Sequence, residues 1–159
     1  MSERAAVEAL LDEHQRAMAH LLAFIQPWDE ETLDRTVLGD ATRTYRQVLQ
    51  HVATAAYFGY FVWTQRMLEW DVLPPPVPAR ERITDFHRLS ALREILAQTT
   101  PYGRQALARL TDEQLDKPQF MSNWNEPYTI DQMLEHAVVH VWRHLRQLER
   151  AEKARPGRA

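Results

Sequence analysis

Between Asp131 and Arg150, reading DQMLEHAVVHVWRHLRQLER, apolar residues recur every three or four positions: Leu134, Ala137, Val138, Val141, Leu145 and Leu148. At roughly 100° per residue these six gather within about a third of a helix circumference. The spacing predicts an amphipathic helix that must bury one face against other helices. Thr129, followed three residues later by Gln132, is a capping box that opens it. Three of the seven histidines lie on this helix, His136, His140 and His144, each four residues after the last. On a helix they stack along one side, about 6 Å apart in rise. His144 falls beside Ala137 at the edge of the apolar face, and His140 one step further round, beside Met133. His136 points further from the apolar centre, so only the last two are expected to turn inward. Such a stripe is often solvated. Two histidines at i, i+4 are also a metal-chelating arrangement, and a third ligand elsewhere would decide between the readings.

Three other stretches show the same periodicity. Val7, Leu10, Leu11, Met18, Leu21, Leu22 and Ile25 predict a first helix, capped by Ser2 and ended by Pro27; it holds His14 and His20. Thr42 or Thr44 caps a second, running to about Trp70 through Val48, Val52, Ala55, Phe58, Val62 and Leu68. His51 shares the spacing of Ala55, Phe58 and Val62, which predicts a buried seam. A buried imidazole needs a partner, either a hydrogen bond or a metal ion. A third helical region starts at Thr84 with Phe86, Leu89, Leu92, Ile95 and Leu96; Pro101 forces a kink, or a restart capped by Thr100, before Leu107 and Leu110.

The connectors differ in kind. Residues 27–44 carry turn chemistry at Gly39-Asp40 and have room for a short helix or extended piece. Asp71 to Arg82 holds four prolines and predicts a rigid crossover. Residues 111–129 read as irregular, with a turn at Asn123 to Pro127 and with Phe120, Met121 and Trp124 packing back on the helices. Four long amphipathic segments predict an all-α four-helix bundle. One domain is expected over residues 1–150, followed by a polar tail over 151–159.

Composition removes several function classes. A net charge of −3 gives no support for nucleic acid or an anionic membrane as partner. The absence of cysteine excludes a disulfide scaffold, thiolate ligands and a cysteine nucleophile, and fits a reducing cytoplasm. The opening MSERAAVEALLDEHQR is too charged for a signal peptide, and no apolar run approaches the ~18 residues of a membrane span.

His51 on the second helix, with His140 and His144 on the fourth, makes a three-histidine set of the kind that suits zinc, nickel, iron(II) or cobalt. Three protein ligands leave positions open for water or substrate, and a bound ion lowers the pKa of a water or a thiol. Nearby, Tyr57, His136 and Gln147 are candidates for orienting the ligands. Glu135 is a candidate base, and Arg143 and Arg146 are candidate contacts for an anionic substrate.

The stretches YRQVLQHVATAAYF, with His51, and YTIDQMLEHAVVHVWRHLRQLER resemble the DinB/YfiT-like metal-dependent bundles, a likeness that covers nearly the whole chain. The resemblance implies up-down-down-up connectivity, metal ligands at His51, His140 and His144, and no ligand role for His136. It also implies a homodimer. Characterised relatives include transferases and isomerases that use low-molecular-weight thiols such as bacillithiol or mycothiol. Two readings are open: a divalent-metal-dependent transferase or hydrolase acting on a small-molecule substrate, or a non-catalytic metal-binding stress-response or ligand-binding protein on the same scaffold.

Overall fold

The computed structural model describes residues 3–37, 39–116 and 118–157, with residues 40 and 41 described by their backbone alone. Helix dominates, as the spacing predicts. Helix α1 spans Ala5–Ile25 and buries Val7, Leu11, Met18, Leu21 and Ile25, all at helical spacing. It lies along α6, Ile130–Lys153, whose buried face carries Met133, Leu134, Ala137, Val141, Leu145 and Leu148. The apolar stripes pair as the sequence spacing requires.

The predicted cap of α1, Ser2, lies outside the described residues. The free N–H groups of Ala6 and Val7 instead donate to the Asp112 carboxylate, each at 3.0 Å. Those hydrogen bonds hold the carboxyl of Asp112 below its ordinary pKa. Arg4 adds a second tie, donating to the carbonyls of Leu107, at 2.9 Å, and Leu110.

A short hairpin precedes the second helix: β1, Thr36–Val37, pairs antiparallel with β2, Asp40–Thr44, through a turn where Gly39 has φ 78°. Only glycine adopts that conformation freely. Thr44 then opens α2, Tyr45–Thr54, with a full capping box: the Gln47 N–H donates to Thr44 Oγ1 at 3.2 Å, and the Thr44 N–H to Gln47 Oε1 at 2.8 Å. Such a cap contributes about 1 kcal/mol.

Beyond Thr54 the helix widens. Residues Ala55–Val62 form a π-helical stretch, and α3, Trp63–Met67, completes the rod. This overturns the expected buried seam of His51, Ala55, Phe58 and Val62. Val62 is buried, but Ala55 and Phe58 are half-buried and His51 is exposed. An i→i+5 bonding pattern takes more residues per turn, so a seam read at 3.6 residues loses its register there. The face that enters the core is Tyr45, Val48, Leu49, Val52, Ala53, Ala56, Tyr57, Tyr60 and Phe61.

The rod stops at Met67, three residues before the expected Trp70. The Trp70 N–H reaches back to the Gln65 carbonyl and the Glu69 N–H to that of Arg66, with Glu69 at φ 58°. This is a Schellman closure with glutamate where glycine usually stands. The proline-rich crossover is fastened down: Gln65 accepts from the Leu73 N–H at 2.7 Å, the Tyr102 hydroxyl donates to the Leu73 carbonyl at 2.7 Å, and Val77 is fully buried.

The third helical region begins later than Thr84, which lies in a 3-10 turn, Arg80–Asp85. Helix α4 spans Leu89–Ala97 and α5 spans Thr99–Ala106. The expected restart near Pro101 therefore occurs, but at Gln98 rather than Thr100. Leu107 and Leu110 lie past the helix and are buried all the same. Gly103 brings α5 onto the π stretch; a Cβ there would sit 2.6 Å from the Phe61 ring.

Residues 111–129 hold a second hairpin, β3, Phe120–Met121, paired with β4, Pro127–Tyr128. Asn125 takes φ 60° in its turn, a conformation asparagine tolerates. Thr129 caps α6 with the expected box, accepting from the Gln132 N–H at 3.1 Å. The expected polar tail does not begin at residue 151. Helix α6 runs on to Lys153, and Ala151 and Glu152 are buried. The Glu152 carboxylate accepts two bonds from Arg35, at 2.8 and 2.9 Å, and one from the Tyr45 hydroxyl at 2.9 Å. Among the described residues no helix is long and apolar enough to cross a membrane.

Candidate metal centre

His51 sits at the end of α2, and the inward edge of α6 supplies His140 and His144. The packing of α2 against α6 brings them together. One ring nitrogen from each lies within 4.8 Å of the other two. His51 Nε2 is 2.9 Å from His140 Nε2. The ring centroids stand 4.8 Å apart for His51 and His140, 5.0 Å for His51 and His144, and 4.5 Å for His140 and His144.

Burial keeps these imidazoles neutral. The edge of His51 that faces its partners is desolvated although the ring rim is exposed. That burial, with His144, Arg43 and Arg80 nearby, pushes its pKa down to about 4. Burial acts more strongly on His140, and the neighbouring His144, His51, His136 and Arg143 act in the same direction. His144 is lowered by burial and partly restored by its bond to Gln147. Neutral rings offer lone pairs at neutral pH, the form a metal ion requires.

The donor set fits a divalent ion of the zinc, nickel or iron(II) kind. One proton satisfies the facing nitrogens of His51 and His140, whereas a cation would accept lone pairs from all three rings. His144 Nδ1 meets Gln147 Oε1 at 2.9 Å, which leaves Nε2 free to serve as a ligand and fixes the tautomer and ring plane. His140 Nδ1 is buried without a hydrogen-bond partner.

The other candidates separate. Gln147 touches His144 directly. His136 is held in the cavity wall, its ring stacked on Trp124 at 4.7 Å and 19°, and 6.4 Å from the His140 ring. Tyr57 is not a neighbour of the cluster: its hydroxyl donates to the Ile95 carbonyl on α4. Glu135 is exposed and lines, with Glu126, an adjoining recess that shares His136 and Arg143 with the histidine cavity. Arg146 pairs with Glu149 at 3.0 Å, whereas Arg143 lines the histidine cavity. His14 is buried in the core on Thr100, at 2.8 Å, and His20 lies against Trp142.

The three histidines open into a cavity of about 510 Å³. The π stretch supplies one wall, with Ala55, Gly59 and Tyr60, and the β3–β4 hairpin another, with Asn123 and Trp124. Sequence reasoning missed Arg43 and Arg80, which also line it. Neither carries a signal in the chain, because each lies in a connector whose path only the fold reveals. A larger cavity of about 650 Å³ lies by Trp28, Arg35 and Glu152, but there Arg35 is spent on Glu152. Among the described residues, only His51, His140 and His144 group as a three-residue metal set.

A family model described as DinB superfamily matches residues 42–148, a span that contains all three histidines. No curated protein matches the chain.

Proposed function

Because the chain belongs to the DinB superfamily, we propose that it is a divalent-metal-dependent enzyme whose ion is held by His51, His140 and His144. The observation that carries this reading is the convergence of three desolvated imidazole nitrogens, within 4.8 Å of one another, at the floor of an open cavity. His51 and His140 would bind through Nε2, and His144 through the nitrogen that Gln147 leaves free. A bound ion supplies Lewis acidity, which lowers the pKa of a water or a thiol.

The chain's own residues set the rest of the chemistry. Among the described residues lining the cavity there is no aspartate or glutamate. None of the described wall residues offers a carboxylate as general base. His136 is the remaining imidazole on the wall, kept neutral by burial and by Arg143, and able to accept a proton at a ring nitrogen. The reaction class that suits this set is transfer to or from a low-molecular-weight thiol, or hydrolysis, on a small-molecule substrate. The scaffold that goes with the reading is a single domain that runs through the end of α6 at Lys153, an up-down-down-up bundle, acting as a homodimer in the cytoplasm.

The test is metal analysis of protein purified without a histidine tag, paired with thiol-consumption assays on zinc-, nickel- and iron-loaded samples. Wild type should hold about one ion per chain, and His140→Ala should hold none. Equal metal content in the two proteins would end the proposal. Full metal occupancy without turnover of any thiol and electrophile pair would favour a metal-binding protein that is not an enzyme.

A further inference from the structure

The cavity above the histidines is unbalanced in charge. Arg43 from β2, Arg80 from the 3-10 turn after the crossover, and Arg143 from α6 all line it. Among the described residues none of the three forms an ion pair. Elsewhere Arg35, Arg46, Arg82, Arg104, Arg146 and Arg155 each have a carboxylate. Adding a divalent ion at the three imidazoles would make the imbalance larger, with no acidic side chain among the described wall residues to offset it.

Like charges around a partly desolvated cavity repel unless a counter-charge enters. Arginine presents a planar fork matched to carboxylate and phosphate oxygens, so the missing counter-charge has a defined shape. The backbones that carry these side chains are anchored. Arg43 directly precedes the capping Thr44, Arg80 follows the fastened crossover, and Arg143 lies inside a helix of 24 residues. On the same wall, Trp124 is stacked on His136, and its ring centroid lies 6.5 Å from that of Tyr60, giving an aromatic surface that is still 48% exposed at Trp124.

From this arrangement we infer that the cavity takes a small organic anion, its carboxylate or phosphate oxygens held by Arg43, Arg80 and Arg143 and its flat uncharged part laid against Trp124 and Tyr60. This assignment rests on the metal-centre reading for its location, and adds the class of substrate that the site selects. A volume of about 510 Å³ is in the range of such ligands.

Binding of phenylphosphonate and of phthalate, measured by calorimetry on zinc-loaded and on chelator-treated full-length protein, tests it. The two probes separate phosphoryl from carboxylate recognition, and phenol serves as the uncharged control. At least one anion should bind both forms, phenol should not, and the affinity should fall as salt is raised. The triple variant Arg43→Gln, Arg80→Gln, Arg143→Gln should weaken binding at least about tenfold at unchanged zinc content, with Arg143→Lys alone losing a smaller part of it because an ammonium keeps the charge but not the fork. Thermal melting confirms that the variants are folded. Zinc bound at full occupancy, with anion affinity unaltered in the triple variant or absent from wild type, overturns the inference and leaves the metal centre standing. Arginine-dependent anion binding by protein that takes up no zinc supports the inference while the metal reading fails.

Discussion

His51 Nε2 and His140 Nε2 face each other at 2.9 Å, joining α2 to α6 across 89 residues of chain. Two neutral imidazoles in that position share one proton at most, and His144 brings a third nitrogen to the same place. In the proposed metal centre the ring orientations, and whatever fixes them, would determine affinity.

Gln147 is the clearest of those determinants. Its Oε1 accepts from His144 Nδ1 at 2.9 Å. Gln147→Ala should weaken metal binding about 10–100-fold without abolishing it. His144→Ala should abolish it. Competition against a chromogenic zinc chelator measures both.

Acid should destabilise the metal-free protein well before its carboxylates titrate. Burial in the core pushes the pKa of His14 down to about 4, against about 6.5 in an unfolded chain. Between those values the unfolded chain binds more protons, so stability is full above about pH 6.5 and declines as pH falls toward 4. His14 alone should remove about 2 kcal/mol between pH 7 and pH 5. The lowered pKa values of His51 and His140 act with the same sign. Denaturant unfolding at the two pH values should show a smaller difference, by about that amount, in His14→Leu.

Glu152 should prove to be a structural keystone. Burial alone would raise its pKa, but hydrogen bonds from Arg35 and Tyr45, with the charges of Arg35 and Arg155, lower it overall. It is therefore ionised at neutral pH. Glu152→Ala would strand the Tyr45 hydroxyl and the half-exposed Arg35, and should cost about 2–3 kcal/mol by chemical denaturation. Tyr45→Phe, which removes one bond, should cost about 1 kcal/mol.

Glycine substitutions should move stability in opposite directions at two sites. Glu69 holds φ 58° at the end of α3, a conformation that disfavours any side chain. Glu69→Gly should raise stability by about 0.5–1 kcal/mol. Gly103 has the reverse problem, since an added Cβ would lie 2.6–2.9 Å from three ring atoms of Phe61. Gly103→Ala should lower stability by about 1–3 kcal/mol. Thermal unfolding resolves both.

Much of this was legible because helix formation and burial follow a short repeat. The stripe on α6 and the capping boxes at Thr44 and Thr129 depend on residues within a turn or two of one another. The inward lean of His140 and His144 over His136 came from angle alone. Other features depend on distant partners. The strands of β1, β3 and β4 are two residues long, too short for an alternating pattern to register. Glu152 read as tail because Arg35 and Tyr45, more than a hundred residues earlier, decide its burial. Arg43 and Arg80 reach the cavity only through the paths of two connectors. Tyr57 was misplaced toward the histidines, since its face of the rod turns to α4.

The widened turns at Ala55–Val62 also bear on how such a chain can change over generations. A π stretch carries more residues per turn than an α-helix without breaking the rod. Deleting one position there would restore the tighter repeat and leave His51 upstream with its partners. It would also swing Tyr60 and Gly59 away from the cavity they line. Related chains with and without that residue would share their ligand histidines and differ in what the chamber above them admits.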